Sequence, residues 1–491
     1  MDKHKDLSVV KSRSFVSVAS LLAQGSYTAL LGFAAFFILT LKSGVYLLGI
    51  YNTVLAALAS FNYFTNLGLA AALMQKKEIE QIDLNTAFYI QFSLTCVAVV
   101  VGYIATPWVF HFYKDIPHDA IYLYWAVLFS FFILSLKTIP SVLLEKDIKI
   151  YKVVIVQALE GTVFYLVIIA MVFLNYDIES LVVAVLARAV LGTILIYYFS
   201  PWAPTMSFSL SSAKKLLKYG IPFQSNSFLA FFKDDLLILY LGGAIGLTNL
   251  GYVTFAKKYA EFSIRLIMDN INRVAFPLFA RFQSDKALLR KSLEKVLYYE
   301  TISIFAMVIG AMLVFDVILK VVPGGYYDKW HYSLISFYFF SLSSLMVSLY
   351  SPLINMFNAI GKVNKSLLFM VYFTVLTWVC IPPMVMVFGY QGISYAFFIM
   401  SLSFILVIRE AKKYVDFSLP HVLKDVSIAV GAMVGFIVVL RIIFLNMLHL
   451  DIVFLALAIL GGGGIYVGIL YKIKGRELYA EVLDLFNSRK E

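Results

Sequence analysis

Long apolar stretches separated by short polar ones recur along the whole chain. Fourteen of them run for roughly 20 to 30 residues, at 14–41, 45–74, 84–113, 118–143, 152–174, 178–199, 219–241, 249–280, 293–320, 331–359, 366–388, 390–409, 426–446 and 452–472. A helix rising 1.5 Å per residue needs about 20 residues to cross a hydrocarbon core of ~30 Å, so each stretch is long enough to span a bilayer with some tilt. The pattern predicts an all-α polytopic membrane protein of about 14 transmembrane helices joined by short loops.

One predicted span breaks the apolar rule. Between 249 and 280, Lys257, Glu261, Arg265, Asp269 and Arg273 recur every four residues, with Lys258 beside them, on a segment otherwise largely apolar and aromatic. That period places the charges on one stripe of a helix, and the stripe drifts because four residues exceed one turn. A central charge facing lipid costs at least ~2.5 to 3.5 kcal/mol, so a crossing helix of this kind turns its stripe to protein or to a water-filled cavity. The distribution of basic residues requires it to cross. With the N-terminus inside, cytoplasmic segments and their edges hold 28 of the 40 lysines and arginines, while the outer segments hold only Lys42, Lys114, Lys320 and Lys329. Were 249–280 not a span, every later loop would change sides and reverse that bias. Both termini are therefore expected in the cytoplasm.

Composition excludes a soluble class: of 491 residues, 61% are hydrophobic and only 14% charged. The polar arm ahead of 14–41 is followed by too long an apolar run, with no small-residue cleavage pattern, for a cleaved signal peptide, which makes it a first transmembrane helix. Cys96 and Cys380 stand alone in apolar runs, so neither a disulfide framework nor a thiolate metal site is available. The six histidines lie near span ends without metal-ligand spacing, and no phosphate-binding GxxxxGK[ST] loop occurs. No metal, cofactor or nucleic-acid partner is expected.

The helix pair 14–74 repeats, in the order of its features, at 219–280. Gln24 leads to Leu48-Gly49-Ile50-Tyr51, and Gln224 leads to Leu250-Gly251-Tyr252. The turns at Asn175-Tyr176-Asp177 and Gly389-Tyr390-Gln391 each open the sixth helix of a half. The expected organisation is a six-helix half in 1–200, a cytoplasmic linker in 201–218, a second six-helix half in 219–410, two accessory helices in 426–472 and a cytoplasmic tail in 473–491 that forms a short amphipathic helix. Such repeats place a substrate site near the membrane midplane.

Several patches, in order, carry a resemblance: Asn66-Leu67-Gly68-Leu69 running to Lys76-Lys77-Glu78, Asp235-Leu236-Leu237-Ile238, Asn249-Leu250-Gly251-Tyr252, Asn272-Arg273-Val274-Ala275-Phe276-Pro277, Gly325 to Trp330, and Asn358-Ala359-Ile360-Gly361-Lys362. Over nearly its whole length the chain resembles the bacterial polysaccharide flippases, the O-antigen and exopolysaccharide exporters of the multidrug/oligosaccharidyl-lipid/polysaccharide superfamily. The resemblance implies a bacterial inner-membrane location. Its expected substrate is an anionic undecaprenyl-pyrophosphate-linked oligosaccharide, and its expected partners are membrane lipids and a polysaccharide polymerase.

Such a head group crosses hydrocarbon only where protein groups replace its water. The candidates to do so are Lys257, Lys258, Arg265 and Arg273, with Lys233, Arg188 and Lys137 on other spans; arginine holds phosphate through two N–H groups, lysine as a point charge. The opposing reading is that these cations only neutralise Asp234, Asp235, Glu261 and Asp269 in buried pairs. Seven cations against four carboxylates leave a positive excess, which favours a cavity. The same four carboxylates are the candidates for a coupling H⁺ or Na⁺. Arg441 fits either an accessory lipid groove or a paired structural role. Two other functions compete: an ion-coupled multidrug antiporter, for which a net acidic site is expected, and a polysaccharide polymerase or ligase, for which the short outer loops leave little room.

Overall fold

The computed structural model describes residues 27, 28, 30–53, 56, 68–76, 78–112, 117–147, 149–233 and 235–487; within helices, residues 75, 112, 222, 223, 225–230, 269, 270, 273, 274, 277, 445–447 and 476–487 are described by their backbone. Every regular element among them is helical. The first two are α1 (Leu30–Lys42) and α2 (45–53). There follow α3 (Leu69–Gln75), α4 (Gln81–Phe112), α5 (Ala120–Leu136), α6 (Thr138–Lys146), α7 (Ile150–Phe173), α8 (Ile178–Phe199), α9 (Leu210–Lys233), α10 (Asp235–Ile245) and α11 (Leu247–Ala260). A π turn, Ile264–Met268, leads into α12 (Asp269–Arg281), then α13 (Lys286–Val321), α14 (Tyr326–Trp330), α15 (Leu334–Ala359), α16 (Val363–Phe388), α17 (Gln391–Ser401), α18 (Phe404–Lys412), α19 (Leu419–Arg441) and α20 (Asp451–Asn487).

Among the described residues, nine helical runs are long and apolar enough to cross a membrane, and α5 with α6, bent by 41° about Lys137, makes a tenth. They coincide with ten of the fourteen apolar stretches. Of the other four, 14–41 and 45–74 are described only in part. The stretches 219–241 and 249–280 form the interrupted pairs α9/α10 and α11/α12, whose charged interiors set them apart from the uniformly apolar runs. Ile194, Val379, Met386 and Leu460 are more than half exposed on their helices, the inverse of a water-soluble surface and the arrangement a lipid-facing one requires. The chain is a multi-pass membrane protein.

Two compact units divide the chain, Met1–Thr254 and Phe255–Glu491. In the first, α1 runs parallel to α7: the Tyr27 hydroxyl is 2.9 Å from Thr162 Oγ1, and Gly32 abuts the Tyr165 hydroxyl. A Cβ added to Gly49 would stand 2.0 Å from the Leu247 carbonyl oxygen, and one added to Gly251 2.3 Å from that of Val45. Val45 precedes Gly49 by four residues, as Leu247 precedes Gly251. Each repeat therefore offers a glycine to the other repeat's carbonyl, the reciprocity of a local two-fold axis between α2 and α11.

In the second unit, Phe279, Leu297, Met356, Phe357, Val407, Val426 and Phe454 belong to one buried cluster, so α19 and α20 pack on the same core as α12, α13, α15 and α18. Arg441 clamps α19 to α13, donating to the Leu313 carbonyl at 2.8 Å and through Nη1 and Nη2 to the Asp316 carboxylate. It is a paired structural arginine. The helix α9 begins at Leu210, inside the expected linker, and α20 continues from the last apolar stretch into the expected tail as one helix to Asn487.

Candidate functional site

The charged stripe lies on α11, the π turn and α12. Lys257 Nζ is 3.8 Å from Glu261 Oε1 and 4.7 Å from the Phe397 ring centroid, while Arg265 Nη2 is 3.3 Å from Glu261 Oε2. Both ion-pair distances exceed the ~2.7 to 2.9 Å of tight charge-assisted bonds. The Arg265 side chain is 64% exposed. One carboxylate thus holds two cations loosely, and the ladder keeps a positive surplus. Lys258, beside it, is partly buried and engages neighbours of its own. The backbone places Asp269 and Arg273 on α12; their side chains lie outside the described residues.

The π turn alters the expected course of the stripe. Four residues turn a regular helix through about 400°, so from Lys257 to Arg273 the charges would drift by about 160°. A π turn takes up one extra residue, and that insertion winds the stripe back by about 100°. The charges after Ile264–Met268 stay within about 60° of Lys257 instead of wrapping round the helix.

In the first unit the cations are held differently. Lys137, at the α5–α6 bend, reaches Glu160 Oε1 of α7 at 2.5 Å, with the lysine side chain 23% and the glutamate 3% exposed. Gly192 of α8 makes room for that glutamate, since a Cβ there would stand 1.7 Å from Glu160 Oε1. One turn further along the same antiparallel pair, the Arg188 guanidinium lies over the Phe164 ring at 5.7 Å. The structure thus gathers Lys137, Glu160 and Arg188 around two turns of α7 and α8. Lys233 ends α9 and Asp235 begins α10, both partly buried and both engaged; Asp234 lies outside the described residues.

Sequence reasoning missed Glu160, whose signal was a single carboxylate in an uninterrupted apolar stretch. A second signal was available in the repeat. Ser135-Leu136-Lys137 and Ser348-Leu349-Tyr350 are offset by 213 residues, and the same offset carries Glu160 to Phe373. Tyr350 stacks on Phe373 with ring centroids 5.3 Å apart, so one repeat has an ion pair where the other has an aromatic pair.

A family model described as Polysaccharide biosynthesis protein matches residues 47–334. The Lipopolysaccharide biosynthesis protein WzxC of Escherichia coli (strain K12) is 23% identical over 367 residues, covering 72% of this chain and 71% of its own. The Teichuronic acid biosynthesis protein TuaB of Bacillus subtilis (strain 168) is 21% identical over 267 residues, 54% of each chain. Among solved structures, the Lipid II flippase MurJ in an inward closed conformation superposes with a TM-score of 0.71 at 14% identity, covering 96% of this chain and 99% of its own. An inward-facing multidrug resistance MATE transporter of the MOP superfamily does so with a TM-score of 0.59 at 14% identity, covering 81% and 95%. These two similarities establish the fold. The sequence match from α2 to the start of α15 takes in the stripe and more than half of the chain, and on that ground the chain belongs to the family of polysaccharide biosynthesis proteins.

Proposed function

We propose that this protein carries an undecaprenyl-pyrophosphate-linked oligosaccharide from the inner to the outer leaflet of the bacterial cytoplasmic membrane by alternating access, supplying a polysaccharide polymerase on the far side. It is a transporter and not an enzyme. The observation that carries the proposal is Arg265: a guanidinium 64% exposed, held at 3.3 Å by a carboxylate it shares with Lys257. On a membrane-crossing segment, that exposure is tolerable only where the side chain meets water or an anionic ligand. In this reading all fourteen apolar stretches cross, α9/α10 and α11/α12 do so as interrupted helices, and both termini are cytoplasmic. Arg265, Arg273, Lys257 and Lys258 hold the pyrophosphate, while Lys137 serves the frame. Family membership, the polysaccharide roles named for WzxC and TuaB, and a fold shared with a Lipid II flippase all support it.

Movement of an anionic head outward runs with a membrane potential that is negative inside, which contributes about 2.3 kcal/mol per elementary charge per 100 mV. A coupling H⁺ or Na⁺ that resets the empty carrier is assigned to Asp234 and Asp235, two adjacent acids with one neighbouring lysine, ahead of Glu261 and Asp269. The decisive experiment deletes the gene and locates the lipid-linked intermediate. Accumulation in the inner leaflet with loss of surface polysaccharide is expected. Accumulation in the outer leaflet would assign the block to polymerisation and end the flippase reading.

A further inference from the structure

A second polar feature lies in the C-terminal unit, and it is uncharged. On α15, Val347, Tyr350, Ser351, Ile354, Asn355 and Asn358 recur at steps of three and four and share one helical face. The opposite face, with Leu349, Leu353, Met356 and Phe357, is buried. Together with Asn272 of α12, the polar face lines a cavity of about 340 Å³. That is the low end of the ~300 to 1,000 Å³ typical of small-molecule sites, with room for a monosaccharide unit but not for a whole oligosaccharide.

The groups around it form a network with unused capacity. Asn355 Nδ2 donates to the Asn272 carbonyl at 2.9 Å and to Asn272 Oδ1 at 3.0 Å, and Asn272 Nδ2 donates to Ser351 Oγ at 3.2 Å. Each carboxamide has two N–H donors and an oxygen with two lone pairs. Three hydrogen bonds therefore leave the Asn355 oxygen, one Asn272 N–H and the whole Asn358 amide without a partner among the described residues. Helix-to-helix glue in a membrane needs only the bonded pair. The surplus amides, on a face that stays partly exposed, call for a ligand that both donates and accepts while carrying no charge. Sugar hydroxyls do both. Tyr350, stacked on Phe373, offers an aromatic wall beside them. Asn272 immediately precedes Arg273, so the cavity adjoins the cationic stripe along the chain.

Resting on the flippase reading above, we propose that this cavity is a sugar subsite: Asn272, Ser351, Asn355 and Asn358 hydrogen-bond the hydroxyls of a neutral sugar residue of the lipid-linked oligosaccharide, while the stripe takes its pyrophosphate. Cationic and carboxamide groups thus divide the ligand by charge.

The test uses the full chain in lipid nanodiscs, with Val347→Cys, on the cavity wall but outside the hydrogen-bonding set, as the sole cysteine after Cys96→Ser and Cys380→Ser. The probes are methyl glycosides of neutral hexoses and N-acetylhexosamines, and inorganic pyrophosphate. A recognised glycoside at about four times its dissociation constant slows maleimide labelling at position 347 about fivefold and raises the melting temperature of the unsubstituted chain, while pyrophosphate leaves labelling unchanged. Because the melting shift needs no substitution, misfolding of the variant does not remove the test. Protection by pyrophosphate alone would make the cavity part of the anion site. Absence of both protection and melting shift with every glycoside would reduce the asparagines to a helix-packing device. Neither result bears on the deletion experiment, whose leaflet readout tests the flippase reading separately.

Discussion

Lys137 is the candidate that the structure pairs with a buried carboxylate, and Lys137→Met tests whether that pairing is its role. The pair with Glu160 is short, at 2.5 Å, and its carboxylate is 3% exposed in a slot that only Gly192 leaves open. Removing one partner of such a pair strands a buried charge and costs about 3 to 5 kcal/mol, a factor of more than a hundred in the folded-to-unfolded ratio. Removing both, as Lys137→Met with Glu160→Leu, replaces the pair by apolar volume and is neutral or stabilising by about 1 to 4 kcal/mol. The expected order of stability is therefore double variant at or above parent, with Lys137→Met far below both. Thermal melting of detergent-solubilised protein reads this order, and restoration of surface polysaccharide in a deletion strain reads function in the same three proteins. Function should follow stability, with the double variant exporting normally. A Lys137→Met protein that is as stable as its parent yet fails to export would refute the reasoning and return Lys137 to the substrate.

The remaining predictions separate the same effects elsewhere. Arg265→Ala should cost under about 1 kcal/mol in stability, as expected for an exposed pair, while export falls sharply; a stability loss restored by Glu261→Ala would mark it as a structural pair instead. Gly49→Ala and Gly251→Ala should each reduce folded yield because their Cβ atoms meet backbone carbonyls, whereas Gly310→Ala and Gly431→Ala, with nothing within 4 Å, should be neutral or gain up to about 1 kcal/mol; equal yields from all four would dismiss the close helix crossing. In proteoliposomes Asp235→Asn should abolish dependence on a pH or Na⁺ gradient and keep the response to an imposed potential, and a gradient dependence that survives in Asp234→Asn/Asp235→Asn would remove the coupling ion from α9/α10.

Apolar length made most of the frame legible. The stretches 152–174 and 178–199 became Ile150–Phe173 and Ile178–Phe199, because an apolar run ends where backbone and side chains can meet water again. The bend at Lys137 and the π turn after Ala260 were invisible to that signal, since both are local changes of winding within runs of helix-forming residues. The four-residue step from Arg265 to Asp269 spans the wide turn, and in the sequence that step is indistinguishable from drift. Glu160 escaped because its partner stands 23 residues away, and a pair across a helix bend leaves no periodicity. The asparagines of α15 escaped for a different reason: attention to charge passes over neutral amides, although Asn355 and Asn358 at a three-residue step inside an apolar helix already mark one face.

The reciprocal glycine contact constrains how the molecule can move. Ordinary helix crossings interlock ridges of side chains in grooves, so rotating one helix over the other means lifting every ridge out of its groove. Where Gly49 meets Leu247 and Gly251 meets Val45, each glycine faces a backbone carbonyl, with the Val45 Cγ1 methyl beside the second contact. A glycine Cα–H set against a carbonyl oxygen makes only a weak contact, worth ~0.5 to 1 kcal/mol and tolerant of angle. Such a crossing works as a bearing: α2 and α11 can swivel about it while staying in touch. Because the two-fold relation duplicates the contact, a swivel that shifts one glycine against its carbonyl shifts the other with it.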